Sequence, residues 1–235
     1  MIVAIPGTLC APDVFEPIAE ALAGDARVEP VDWMLAPGPW DIPTIAQRIL
    51  ERVRTDHTSP IVVLGHSTGG AIALQIALSA PEIVSALIIS DSGPNMKGHG
   101  DVSTIIAAAE ISWGPQLFAP ILTRSFREPL PHEVERKLLA YAGRVSPTAV
   151  IEVLRSQRDL DFAEHLTDLA VPTLVLHGSD DPVRTINQAQ AFSRALPDAV
   201  LQIIDSGHTP VFEAPHETAA AIRSFLRNLR IQPRA

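Results

Sequence analysis

One cysteine in 235 residues leaves no partner for an internal disulfide, which fits a reducing, cytosolic setting. Basic residues are few: 18 Lys and Arg against 27 Asp and Glu give a formal charge of −9. That balance excludes a protein that grips a phosphate backbone, which needs a basic face. No apolar run approaches the ~18 residues of a membrane span, so no membrane association is expected. The opening MIVAIPGTLC has no basic stretch before its apolar run, so no secretory signal is expected. Aromatics make up only 5% while prolines number 21, which suggests many short connections rather than an aromatic binding platform. Histidines, cysteine and carboxylates show no metal-ligand spacing, and no glycine-rich phosphate loop is present. What remains is a rather apolar chain, 46% hydrophobic, whose length suits one α/β domain of ~200–250 residues.

Short apolar runs alternate with helix-period stretches along this chain. Met1–Pro6, Arg27–Trp33, Ile61–Leu64, Ala86–Ser90, Thr173–Leu176 and Leu201–Ile204 read as strands, with Pro30 marking an edge strand. Pro12–Ala23, Pro43–Arg54, Ala71–Ser79, Asn187–Leu196 and Glu213–Leu229 read as helices. The alternation implies a mostly parallel, doubly wound sheet covered on both faces. Residues 94–170 break the rhythm, with no convincing strand. They read as helices over about Val102–Ile111, Gln116–Phe126, His132–Ala142, Thr148–Gln157 and Phe162–Leu169. The expectation is a core of residues 1–93 and 171–235 carrying an inserted helical lid, 94–170. Gly93–Asp101 is glycine-rich enough for a hinge, and His99 within it reads as a solvated loop residue.

The chemistry concentrates after the third strand. Ile61–Leu64 runs into Gly65-His66-Ser67-Thr68-Gly69-Gly70 and then a helix, which is G-x-S-x-G in a strand–turn–helix context. Such a turn projects the serine from the strand tip, and its glycines remove side chains that would collide there. A serine hydroxyl needs a general base. His208 follows the last strand in Asp205-Ser206-Gly207-His208-Thr209-Pro210, at the strand ends where sites of open parallel sheets gather. The base in turn needs a carboxylate. Asp180 and Asp181 both follow the strand Thr173–Leu176, and residue type alone leaves the choice between them open.

The chain resembles the α/β-hydrolase superfamily through MIVAIPGT, the elbow GHSTGG, the acid loop HGSDDPV and SGHTPVFEAP. The resemblance implies about six strands, because the antiparallel pair that opens larger members is missing. It also implies Ser67 as nucleophile, His208 as base and Asp181 as orienting acid. Asp91, after the strand that follows the elbow helix, stands as the alternative acid. The oxyanion donors are expected from Thr68 and from Thr8, with Leu9 as the other choice, in a loop where Pro6-Gly7 replaces the family's His-Gly. Cys10 nearby reads as a buried apolar residue. No metal and no cofactor are implied. The partner is a small-molecule substrate of modest polarity, an ester or lactone, in a pocket that Trp113, Phe118 or Leu122 would line; Trp33–Trp40 could flank its mouth. Oligomeric state is not addressed by any of these features. The same resemblance leaves two alternatives open. One is a non-hydrolytic enzyme such as a cofactor-free dioxygenase, lyase or haloperoxidase, some haloperoxidases sharing the G-H-S-T-G-G elbow. The other is a non-catalytic ligand-binding receptor.

Overall fold

The computed structural model describes residues 1–56, 60–98 and 102–231. Six strands form one sheet: β1 (Ile2–Ile5), β2 (Val28–Pro30), β3 (Ile61–His66), β4 (Val84–Ser90), β5 (Thr173–Gly178) and β6 (Ala199–Ile204). Their order is β2-β1-β3-β4-β5-β6 and every pairing is parallel. The helices in chain order are α1 (Glu16–Ala21), α2 (Ile42–Asp56), α3 (Thr68–Ser79), α4 (Val102–Ile111), α5 (Pro115–Thr123), α6 (His132–Ala142), α7 (Pro147–Asp159), α8 (Ile186–Ala195), α9 (Pro210–Glu213) and α10 (Pro215–Ile231).

Alternation along the strands builds two cores, because successive side chains leave a strand on opposite faces. Val3, Ile5, Val63, Leu87, Ile89 and Val175 pack with α2, α3 and the helices between β4 and β5. Ile2, Ala4, Val62, Leu64, Ile88 and Leu176 pack with the apolar faces of α1 and α10. Both faces being covered, the central strands are apolar along most of their length. β2 is shorter than the sequence pattern suggests; Pro30 occupies its last position at the sheet edge, where a missing N–H costs no ladder bond.

Several helices differ from expectation at prolines. The segment Pro12–Ala23 is a 3₁₀ turn, Pro12–Phe15, followed by α1. The helix expected over Glu213–Leu229 begins at Pro215, with Ala214 outside helical geometry at φ −132°, ψ 57°, because the proline ring disfavours helical geometry in the preceding residue. α5 tolerates Pro120 but ends at Thr123 rather than Phe126. The last helical stretch before β5 is 3₁₀, Ala163–Asp168. Between β4 and β5 the described residues form helices and no strand. His99 lies outside the described residues, as does part of the loop 93–101.

The sheet order reverses between β1 and β3. In open parallel sheets the crevice at such a switch point, beyond the strands' C-terminal ends, is where ligands bind. Here those ends are the loop after Ile5 and the turn at Ser67.

Candidate active site

β3 enters the turn and α3 leaves it within one residue. Ser67 is held at φ 53°, ψ −120°, a region costly for a residue with a side chain. The strain is tolerated because the turn is crowded from both sides. A Cβ on Gly65 would sit 2.3 Å from the Gly69 carbonyl oxygen, and one on Gly69 would sit 2.0 Å from the Ile5 carbonyl oxygen. The Ser67 hydroxyl caps no helix N–H and is free to bond elsewhere.

It donates to His208 Nε2 at 3.0 Å. His208 Nδ1–H donates to Asp181 Oδ1 at 2.9 Å, so the carboxylate fixes the ring's tautomer. β3, β5 and β6 supply these three residues from the loops at their C-terminal ends. Asp181 Oδ1 also accepts the Val183 N–H at 2.7 Å. Burial raises the Asp181 carboxyl, but the His208 hydrogen bond and charge and the Val183 N–H outweigh it, leaving the group below the ordinary carboxylate value.

Asp91 does not bond to His208. Its Oδ1 accepts the Gly178 N–H and its Oδ2 the Ser90 hydroxyl, both at 2.8 Å. Burial first, then the nearby Asp181 charge, push Asp91 well above the ordinary carboxylate value, so it favours the neutral form. His177 Nδ1 lies 3.6 Å from Asp91 Oδ1 and 3.9 Å from Asp181 Oδ2. Sequence spacing showed no metal-ligand cluster, yet the fold gathers Asp91, His177 and Asp181 with ligand atoms within 4.8 Å of one another. Most of their oxygens are already committed to the bonds just described.

The neighbouring loops hold His208 in place. His66 Nε2–H donates to the His208 carbonyl at 2.8 Å. Burial, then the His208 charge, push His66 down to about 3, so its ring is neutral. Glu213 accepts the backbone N–H groups of Gly207 and Thr209 on either side of His208, and that of Arg127 as well. His66 and Glu213 were not singled out from sequence. A histidine inside an elbow motif and a glutamate five residues past the base carry no pattern that announces this work.

Thr68 opens α3, and the first N–H groups of a helix lack intrahelical acceptors. Among the described residues neither the Thr8 nor the Thr68 N–H bonds a carbonyl outside a helix or strand. The Leu9 N–H is committed to Met34 Sδ at 3.0 Å, and Leu9 holds φ 65°. Thr8 Oγ1 and Thr68 Oγ1 are 2.8 Å apart, and the Thr68 hydroxyl donates to Gln157 Oε1 on α7 at 3.0 Å. Trp33 Nε1–H donates to the Pro6 carbonyl at 2.9 Å, so Trp33 and Met34 buttress this loop from within the core rather than flanking a mouth. Cys10 is buried, and burial pushes its thiol up to about 12, which leaves it inert.

Ser67, His208, Thr8 and Thr68 line one cleft with a cavity volume of about 80 Å³. Its apolar wall is aliphatic, with Met96, Val102, Ile105, Ile121, Val150 and Leu154 prominent; Arg124 and Gln157 add polar groups. Trp113, Phe118 and Leu122 do not line it. Phe118 and Leu122 are turned into the core and Trp113 packs on Phe118 with centroids 5.6 Å apart. Ile121, on the same helix, and Ser125, just beyond its end, face the cleft instead.

The profile of the alpha/beta hydrolase family matches residues 2–221. The chain belongs to that family. Among curated relatives, this α/β hydrolase is 29% identical over 172 residues to a 2-hydroxy-6-oxo-6-(2'-aminophenyl)hexa-2,4-dienoic acid hydrolase of Metapseudomonas resinovorans, covering 71% of this chain and 59% of the relative. It is 25% identical over 215 residues to an (E)-2-((N-methylformamido)methylene)succinate hydrolase of Acinetobacter baylyi, covering 88% of this chain and 74% of the relative. Matches to three curated relatives span only 63%, 59% and 58% of those proteins' lengths. Of the solved structures, an esterase from Exiguobacterium antarcticum superposes with a TM-score of 0.86 at 22% identity, covering 97% of this chain and 92% of that one. An enol-lactonase from Burkholderia xenovorans superposes at 0.81 with 18% identity, covering 96% and 90%. No helix among the described residues is long and apolar enough to cross a membrane.

Proposed function

We propose that this α/β hydrolase cleaves a small carboxylic ester or lactone through an acyl-enzyme on Ser67. Ser67 Oγ attacks the carbonyl carbon while His208 Nε2 takes its proton. Asp181 orients the ring and stabilises the imidazolium. The negative charge on the tetrahedral intermediate's oxygen falls to the N–H groups of Thr68 and Thr8; the commitment of the Leu9 N–H to Met34 Sδ favours Thr8 as the second donor. His208 then protonates the leaving alkoxide. Water, deprotonated by the same ring, releases the acid and regenerates Ser67. The helical segment 94–170 acts as the lid, its α4, α5 and α7 walling the cleft against water.

The observation that carries this reading is the unbroken hydrogen-bonded chain from Ser67 through His208 to Asp181 opening on an aliphatic cleft. Curated relatives named as hydrolases support hydrolysis over other chemistry. A panel of p-nitrophenyl esters and lactones of graded size, run on the wild type and Ser67→Ala, tests it. Turnover of short-chain esters that Ser67→Ala abolishes, with Ser67 labelled by a fluorophosphonate, is the expected result. A folded protein whose Ser67 stays unlabelled would count against it. So would a Ser67→Ala variant that keeps turnover while His208→Ala loses it, which would point to base catalysis without an acyl-enzyme.

A further inference from the structure

Among the described residues that line the cleft, Arg124 is the one lysine or arginine. Apart from His208, the described lining is otherwise neutral, and it contains no aspartate or glutamate. Among the described residues no carboxylate pairs with Arg124, whereas Arg127, three residues on in the loop after α5, bonds both Asp180 and Asp205. An arginine at a helix C-terminus complements the dipole by itself, and Arg124 does end α5. What sets it apart is that its segment is strapped to the loop bearing His208. The Ser125 carbonyl accepts the Thr209 hydroxyl at 2.8 Å. The Phe126 ring meets Phe212 edge-on with centroids 5.5 Å apart, and the Arg127 N–H donates to Glu213 at 2.8 Å. The base of the Arg124 side chain thus keeps a fixed position relative to the catalytic ring. The chain as a whole carries −9, so long-range attraction cannot bring an anion to this cleft. A local, unpaired cation in an aliphatic wall is the feature that could select one.

We propose that the substrate carries a carboxylate, separated from the scissile carbonyl by a short aliphatic stretch, and that Arg124 pairs with it at the cleft mouth. The class is a hemi-ester of a short dicarboxylic acid, or a lactone bearing an acid side arm. This rests on the ester and lactone reading above. The aliphatic wall takes the methylenes, and the guanidinium offers a planar pair of donors matched to a carboxylate.

The test compares monoethyl glutarate with ethyl pentanoate, which differ by a carboxylate in place of a terminal methyl, with hydrolysis followed by pH-stat. The readout is the ratio of kcat/KM for the two substrates. The wild type should favour the hemi-ester. Arg124→Gln should lower the ratio about ten- to a hundredfold, the range of a charge-assisted hydrogen bond, and Arg124→Lys should retain part of it. Raising salt should erode the wild-type ratio, because the pair is partly exposed. Calorimetry on the Ser67→Ala protein gives a readout free of turnover: monoethyl glutarate should bind, and more weakly once Arg124→Gln is added. A wild-type ratio below one, a ratio unmoved by Arg124→Gln, or a loss of stability in Arg124→Gln with no change in ratio overturns the inference. In each of those cases Ser67-dependent hydrolysis of ethyl pentanoate leaves the esterase reading standing. If Ser67→Ala hydrolyses both esters at the wild-type rate, both readings fall.

Discussion

Gly178→Ala should disable the site without touching any reacting group. Gly178 ends β5 opposite Ile204 of β6, three residues before Asp181. A Cβ there would lie 1.8 Å from the Gly207 carbonyl oxygen and 2.8 Å from both the Gly207 carbonyl carbon and the Ser206 oxygen. All three atoms are backbone, so no rotamer change relieves the contact. Restoring an ordinary 3.4 Å approach demands a separation of about 3.4 − 1.8 = 1.6 Å between the acid loop and the loop bearing His208. That movement acts on a His208–Asp181 bond of 2.9 Å and a His208–Ser67 bond of 3.0 Å, neither of which survives a displacement of that size. Misplacement by about 1 Å costs about 10²-fold in rate. Loss of the ring's orienting carboxylate costs up to about 10⁴-fold. We expect kcat/KM for p-nitrophenyl acetate and the rate of fluorophosphonate labelling at Ser67 to fall together by about 10²- to 10⁴-fold. Overpacking should also cost about 1–3 kcal/mol of stability, a Tm drop of roughly 2–12 °C for a chain of this size. Gly143→Ala is the control: at φ −65° its Cβ would meet nothing closer than 3.4 Å. Near-wild-type turnover and Tm in Gly178→Ala would refute the reasoning, since the two loops would then not need their close approach.

Two further outcomes follow from the carboxyl pair and the buried histidine. Asp181→Asn should lower kcat by about 10⁴-fold, measured on the same ester, while Asp91→Asn should retain most activity because Asp91 makes no bond to His208 and burial pushes its carboxyl towards the neutral form that an amide mimics; the reverse order would make Asp91 the orienting acid. His66 is neutral in the fold down to about pH 3, whereas the unfolded ring takes a proton below about 6.5. Its contribution to stability is therefore fully present above pH 6.5 and lost as pH falls towards 3, amounting to about 2 kcal/mol lost by pH 5 at about 1.4 kcal/mol per unit. Urea unfolding at pH 7 and pH 5 should show a smaller difference in His66→Gln than in the wild type, and equal differences would contradict the assignment.

The architecture was legible where local rules are strict. Parallel central strands read as near-continuous apolar runs, and Ile61–Leu64 and Ala86–Ile89 do. Strand ends were less legible: β4 begins two residues before the pattern suggests, because edge polarity does not stop backbone pairing. α5 shows the limit of helical periodicity. Its sequence offers apolar residues on two neighbouring rows, and periodicity alone does not say which row meets the core. The larger Phe118 takes the core with Leu122, and the row bearing Ile121 and Ser125 is left to the cleft.

The sequence by itself carried the order of elements and the elbow at Ser67, because hydrophobic periodicity and the strand–Gly-x-Ser-x-Gly–helix pattern are local. It also narrowed the acid and base to loops after particular strands. Only the tertiary structure set Asp181 rather than Asp91 against His208, committed Leu9 to Met34, and set Gln157 and Arg124 on the cleft. Each of those depends on contacts between residues far apart in the chain, from 25 to 142 positions in the bonds described for Leu9 and His208. Such distances are fixed by how layers pack, and no local pattern of residue types encodes them.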